Sequence, residues 1–166
     1  MSCLISQGYS KGCDIPGGYR ELLMINYDDI DTLTIANGAV TALTLKSNKV
    51  AYKFEVEQEV TSVSEKSIGN KDNGSYGYEQ KLTTKLHGND AILNQLIDSL
   101  IKSRVVVVAV GNDRVRTILF HQFGAKPEAE YKHDAKYDGY VGYDINISHR
   151  QTEKSAIVPS NITIPL

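Results

Sequence analysis

The side chains with the widest chemical repertoire are the four histidines, His87, His121, His133 and His149. None lies in an H-x-x-x-H or H-E-x-x-H arrangement that would aim two ring nitrogens at one metal ion, so exposed or strand-end positions explain them better. Asp28, Asp29 and Asp31 offer oxygen ligands, but a calcium loop needs further oxygens at ordered spacing, and a solvated turn is the simpler reading. Glu55 and Glu57 would neighbour each other on one strand face. Acid and base work needs two carboxyls in unequal environments, and nothing in the sequence buries this pair, which reads as an exposed charged stripe. There is no G-x-S-x-G elbow to strain a serine at a strand-to-helix turn. Gly8-Tyr9-Ser10-Lys11-Gly12 lacks both the full phosphate-loop pattern and a preceding strand. The sequence therefore predicts no catalytic, cofactor-binding or metal-ligating residue, and a protein that is not an enzyme.

Cys3 and Cys13 are too far apart for a C-x-x-C redox motif, and zinc would need two more ligands. They either close a small N-terminal loop as a disulfide or stay free. Free thiols are the expectation, because Met1-Ser2-Cys3-Leu4 lacks the basic segment and apolar core of a secretory signal. Three glycosylation patterns, beginning at Asn73, Asn146 and Asn161, carry no meaning without secretion. The longest wholly apolar run, Val105 to Val110, is too short for a membrane helix. With 18 Lys and Arg against 20 Asp and Glu the formal net charge is −2, so no basic field collects nucleic acid.

The 166 residues predict one domain spanning 1–166, and an apolar content of 41% supplies a core without staples or metals. Ten tyrosines, against three phenylalanines and no tryptophan, suit half-buried strands and interfaces, where the ring packs and the hydroxyl stays wet. After a turn-rich start punctuated by Gly8, Gly12, Pro16, Gly17 and Gly18, Glu21 to Tyr27 reads as a buried strand ended by Asp28 to Asp31. Thr32 to Ile35 and Val40 to Leu45 form a hairpin about Asn37-Gly38. Lys49 to Ser64 reads as one long strand, with Tyr52, Phe54 and Val56 on one face and Lys53, Glu55, Glu57 and Glu59 on the other. Ser67 to Ser75 carries almost no core material, and Tyr76 to Leu86 alternates again, so residues 49–86 are expected to make a long β-hairpin arm.

One segment changes period. Ile92, Leu93, Leu96, Ile97, Leu100 and Ile101 recur at helical spacing, which predicts an amphipathic helix at about 89–103, capped by Asn89 or Asp90 and lying on the sheet. Val105 to Val110 is a β-branched strand, Gly111-Asn112-Asp113 turns it and Val115 to Phe123 runs back. Lys126 to Lys136 reads as polar loop, and Tyr137 to His149 as an alternating strand. A last strand, Ile157 to Ile164, is expected at an edge or end because Pro159 and Pro165 cannot donate to a ladder. An extended hairpin is poorly supported in isolation, so the arm favours a protein that assembles.

Met1-Ser2-Cys3-Leu4-Ile5-Ser6, Cys13 followed by Pro16-Gly17-Gly18, and the apolar run Leu22 to Tyr27 together resemble the opening of small virion proteins of tailed phages that infect Bacteroidetes, relatives of the crAss-like phages. The Gly- and Tyr-rich stretch Asp138 to Ser148 resembles the closing strand region of tail-tube-like virion proteins. The family's two-glycine segment is missing between Arg116 and Phe123. The resemblance implies a mainly β fold, a β-barrel or β-sandwich with one flanking amphipathic helix at Asn89 to Ser103 and a long β-hairpin arm at Lys49 to Leu86. It further implies a structural virion protein, a tail tube subunit whose homo-oligomeric rings form a DNA channel. Its partners would be copies of itself and other virion proteins, with DNA passing non-specifically and no membrane involved, and its location would be the virion assembled in the host cytoplasm. The Glu55, Glu57 and Glu59 stripe would serve either as the face of such a channel or equally as an outer solvent face. The other classes are a phage neck or capsid accessory protein and a non-catalytic β-sandwich that binds a surface or carbohydrate, which tyrosines gathered in an exposed groove would favour.

Overall fold

The computed structural model describes residues 4, 5 and 7–166. Its organising element is the apolar run, which becomes strand β7 (Val105–Gly111), buried along its whole length. A strand reads as continuously apolar when both of its faces are covered, and two separate groups of buried side chains meet here. Val105, Val107 and Ala109 join one group, and Val106 and Val108 join the other.

Around it lie β1 (Tyr19–Asn26), a 3-10 turn (Tyr27–Asp29), β2 (Ile30–Ala36), β3 (Ala39–Leu45), β4 (Tyr52–Glu55), β8 (Arg116–Leu119) and β11 (Ala156–Val158). They form a seven-stranded sheet in the order β2-β3-β11-β8-β7-β1-β4. The second sheet has four strands in the order β5-β6-β10-β9, made by β5 (Ser62–Asn70), β6 (Ser75–His87), β10 (Val141–Gln151) and β9 (Pro127–His133). One helix, α1 (Ala91–Lys102), precedes β7.

The first group of buried residues joins Leu22, Met24, Val107 and Leu119 of the larger sheet to Leu82, Ile145 and Ile147 of the smaller one and to Ile97 and Leu100 of α1. The second group covers the opposite face of the larger sheet with Val40 and Leu43 of β3, Ala51, and Ile164 of the C-terminal tail. The tail is tied down at both ends. Arg116 donates to the carbonyls of Pro159 and, at 2.8 Å, Ile162, and Ala51 N–H donates to Pro165 O at 2.8 Å.

Several local expectations hold because they rest on local chemistry. Asn37 and Gly38 take φ of 53° and 77°, the left-handed pair that a tight hairpin turn requires. Asp90 caps α1, its carboxylate accepting from Leu93 N–H at 2.7 Å.

Four expectations are corrected. Neither sheet closes into a barrel: β2 and β4 end the larger sheet and β5 and β9 end the smaller. The single strand expected from Lys49 to Ser64 is two strands in different sheets, β4 beside β1 and β5 beside β6. The chain crosses between them through a turn in which Glu59 adopts φ 61°, and a turn without Gly or Pro leaves no mark on the alternating pattern. The arm is accordingly the β5–β6 hairpin, while 49–61 belongs to the body. Lys126 to Lys136, expected as loop, contains β9, an edge strand paired with β10 from Val141↔His133 to Ile147↔Pro127. It reads as polar because most of its side chains are exposed. Finally, β11 is three residues long and lies inside the sheet between β3 and β8. Pro159 falls just beyond it, so the missing N–H removes no ladder bond.

Candidate assembly surfaces

Strands β5 and β6 pair from Ser62↔Thr83 to Asn70↔Ser75. Their turn is closed by Asp72 N–H donating to Asn70 Oδ1 at 2.9 Å and by Gly74 at φ 64°. The third strand, β10, accompanies β6 only from His87 to Tyr78. Among the described residues the hairpin has no further strand partner beyond Tyr78, and no strand pairs with the outer edge of β5. Tyr76 stands 69% exposed near the tip.

The root of this hairpin is held by a buried polar clamp. Gln80 is fully buried and faces Glu65 across the ladder. Its amide nitrogen donates to Glu65 Oε2 at 2.7 Å, and its carbonyl oxygen accepts from Phe120 N–H at 2.7 Å. Glu65 also accepts from Ser155 N–H at 2.8 Å and Ser155 Oγ at 3.2 Å. Phe120 follows β8 and Ser155 precedes β11, so the clamp ties the smaller sheet to the larger one where the hairpin emerges. A second glutamine repeats the device, Gln151 Oε1 accepting from Phe123 N–H at 3.2 Å.

A second surface lies between α1 and the edge strand β4. The groove has a volume of about 270 Å³ and is lined by Met24, Tyr52, Phe54, Leu96, Leu100 and Val105, among others. Only Ile97 and Leu100 of the helix are buried, whereas Ile92, Leu96 and Ile101 are 82%, 40% and 40% exposed. The helix therefore carries more apolar surface than its own sheet covers. The signal was present in the sequence, since six apolar positions make a wider stripe than one sheet contact needs, but which half stayed open depended on the tertiary packing.

The outer face of the four-stranded sheet is largely polar, because alternate residues of β10 and β6 turn Ile145, Ile147 and Leu82 inward, although Ile68 of β5 falls on it. It sets Lys81, Lys85 and Lys132 among Glu128, Glu130 and Asp144. Lys132 bonds Asp144 at 2.7 Å. That hydrogen bond, the charge of Asp144 and further carboxylates hold the lysine pKa above its ordinary value. Tyr140, whose hydroxyl donates to Tyr143 O at 3.0 Å, also has its pKa raised, first by burial and then by the charge of Asp144.

The residues weighed for chemistry are dispersed. His87 meets Glu57 at 3.1 Å and the edge of Tyr140; His121 is buried against Lys154 O; His133 meets Tyr131, and His149 meets Gln151. Asp28 pairs with Arg104, and Asp29 with Lys49 and Asn26. Asp31 is exposed at the start of β2. Glu55 lies on β4 beside Lys53, whereas Glu57 and Glu59 fall in the crossing segment, so the three do not form one strand face. Among the described residues no three His, Cys, Asp or Glu side chains gather as a metal site. Cys13 is exposed, and Cys3 lies outside the described residues, as do Met1, Ser2 and Ser6, which with it carry part of the N-terminal likeness. The tyrosines do not share one groove: Tyr131 and Tyr143 pack at 5.3 Å between centroids, Tyr52 lies by α1 and Tyr76 on the hairpin.

No helix among the described residues is long and apolar enough to cross a membrane. Compared with family models, with curated proteins and with solved structures, the chain matches none of them.

Proposed function

We propose that this chain is a structural virion protein, a tail-tube-like subunit whose copies assemble into rings around a DNA channel. The observation that carries the reading is the β5–β6 hairpin, which runs past the last strand of its own sheet and ends in an exposed polar tip. A two-stranded extension is marginal alone and gains order from a neighbour, and an unpaired edge such as that of β5 is a template for pairing. The two sheets with a buried group between them act as a sandwich body that presents the hairpin at a set angle, which the Gln80 clamp maintains. Closed rings need a head-to-tail contact in which different patches of the same chain meet. The outer face of the four-stranded sheet, where Lys66, Lys81, Lys85, Lys132 and Arg150 are interspersed with Glu79, Glu128, Glu130 and Asp144, would line a channel of nearly balanced charge rather than a strongly basic one that holds phosphates. The partners would be other copies and other virion proteins, and the location the virion.

Electron microscopy of the purified protein across concentration and salt tests the reading. Rings or stacked tubes are expected. Deleting Ile68 to Gly74, which removes the tip but none of the β6–β10 ladder, should leave the folded spectrum intact and abolish the rings. A protein that stays monomeric under all conditions, or a size distribution unchanged by the deletion, overturns the proposal.

A further inference from the structure

We propose that Asn73, at the tip of the β5–β6 hairpin, is a modification site: its side chain deamidates spontaneously on the folded protein and leaves aspartate or isoaspartate there. The chain holds two Asn-Gly pairs, Asn37-Gly38 and Asn73-Gly74, and the fold treats them differently.

The chemistry is internal to each pair. The backbone nitrogen of the glycine loses its proton and attacks the carbonyl carbon of the asparagine side chain. The new carbon–nitrogen bond closes a succinimide ring, the bond to the side-chain nitrogen breaks, and that nitrogen takes up a proton and leaves as ammonia. Water then adds to either ring carbonyl and opens the ring, giving aspartate by one route and isoaspartate by the other. Nothing is oxidised or reduced, and water is the sole co-reactant. Glycine favours ring closure because no Cβ crowds its nitrogen or restricts the rotations that bring the atoms together. Both pairs meet that local requirement, so the difference lies in what each turn must give up to react.

Asn37 and Gly38, at φ 53° and 77°, are the two central residues of a tight turn. The turn requires both left-handed angles, so rotating Asn37 toward ring closure breaks it. The residues on either side pair directly, Ala36 with Ala39, and Gly38 O accepts from Ile157 N–H at 3.0 Å. Val40, two residues further on, is only 1% exposed. Freeing this turn therefore pulls a valine from the core.

Asn73 has no such anchor. Its turn spans residues 71–74 beyond the last ladder pair, Asn70↔Ser75, and is held by Asp72 N–H donating to Asn70 Oδ1 and Asn70 N–H donating to Ser75 Oγ at 3.2 Å. Within the pair only Gly74 is left-handed, at φ 64°. Asn73 is exposed, and from residue 62 to residue 79 every side chain is exposed or half-buried. Segments without buried contacts open locally at far lower cost than the core, so the tip reaches the reactive geometry without disturbing the fold. Lys71 and Asp72 now balance at the tip. Conversion adds a carboxylate, and the isoaspartate form also lengthens the main chain by one carbon, so the surface the hairpin presents changes with the age of the molecule.

The test incubates the full-length protein in mildly alkaline buffer at body temperature and follows digested samples by mass spectrometry. The peptide containing Asn73 should gain the mass of an amide becoming an acid, with isoaspartate resolved from aspartate by chromatography. Asn73 should convert about tenfold or more faster than Asn37, the ratio that keeping a valine buried implies. In urea, where both turns are lost, the two rates should converge. Asn73→Gln, whose longer side chain has to close a larger and slower ring, should abolish the gain in the tip peptide. The proposal is overturned if Asn37 converts as fast as Asn73 in the folded protein, or if the folded tip peptide stays unchanged while the urea-treated one converts. A disparity that persists in urea, or a gain that survives Asn73→Gln, overturns it as well. The readout is the mass of a peptide and needs no second copy, so its failure leaves the tube reading untouched and a failure of the tube reading leaves it standing.

Discussion

Replacing Gln80 by leucine tests the physical account of how the hairpin is held. Leucine keeps most of the buried volume, so the change isolates the two hydrogen bonds. Gln80 is fully buried, and Phe120 N–H finds its acceptor in the glutamine carbonyl at 2.7 Å. Without that acceptor a buried backbone donor is left unsatisfied, which costs ~1–3 kcal/mol. The bond from the Gln80 amide to the Glu65 carboxylate is charge-assisted and contributes a further ~1.5–3 kcal/mol. Glu65 keeps its two bonds from Ser155, which limits the second loss. The expected destabilisation is about 3–4 kcal/mol, a large part of the ~5–15 kcal/mol that keeps a domain folded. Urea unfolding followed by circular dichroism measures it, with an unchanged slope showing that the unfolded state is unaffected. A companion Glu65→Gln variant retains an acceptor for Gln80 and should lose about half as much or less. A Gln80→Leu loss below ~1 kcal/mol, or one no larger than that of Glu65→Gln, would refute the view that Gln80 bridges the two sheets.

Asp90→Ala removes the side-chain acceptor of Leu93 N–H and should lower stability by about 1 kcal/mol, whereas Asp90→Asn, another good cap, should cost little; thermal unfolding monitored in the far ultraviolet distinguishes them. Stability should also fall on the alkaline side. Tyr19 and Tyr140 have pKa values raised above 10.0, in each case first by burial and then by a neighbouring carboxylate, and Lys132 is raised above 10.5 by its bond to Asp144. Raised folded-state values mean that the native chain holds these protons more tightly than the unfolded one. The stabilisation is then complete below the unfolded values and is lost as pH rises through the folded ones. Denaturant midpoints between pH 8 and pH 11.5 should decline above about pH 10. Tyr140→Phe should cost ~1 kcal/mol at neutral pH and flatten the decline, and an identical alkaline slope in that variant would contradict the assignment.

The elements legible in the sequence are those whose signal is local. The helical spacing from Ile92 to Ile101, the Asn37-Gly38 turn and the β-branched run at Val105 each encode conformation within a few residues, and all three take the expected form. The strand from Lys49 to Ser64 shows where local patterning fails, because its alternation continues through a turn in which Glu59 changes the direction of the chain and with it the sheet. Strand β9 failed for the opposite reason. Its exposed side chains carry no hydrophobic period, and only pairing with β10, across a gap that no local pattern spans, makes it a strand.

The candidate surfaces divide in the same way. The sequence by itself determined that residues 49–86 would alternate around a polar tip and that α1 would carry a broad apolar stripe. Only the tertiary structure decided where β10 stops along β6, which length of hairpin is left without a strand partner, and that β4 lies at an open edge beside the uncovered half of the helix. Those are outcomes of pairing between segments far apart in the chain. Local side-chain chemistry sets what each segment can bury, but the competition among distant partners sets which face and which edge remain open.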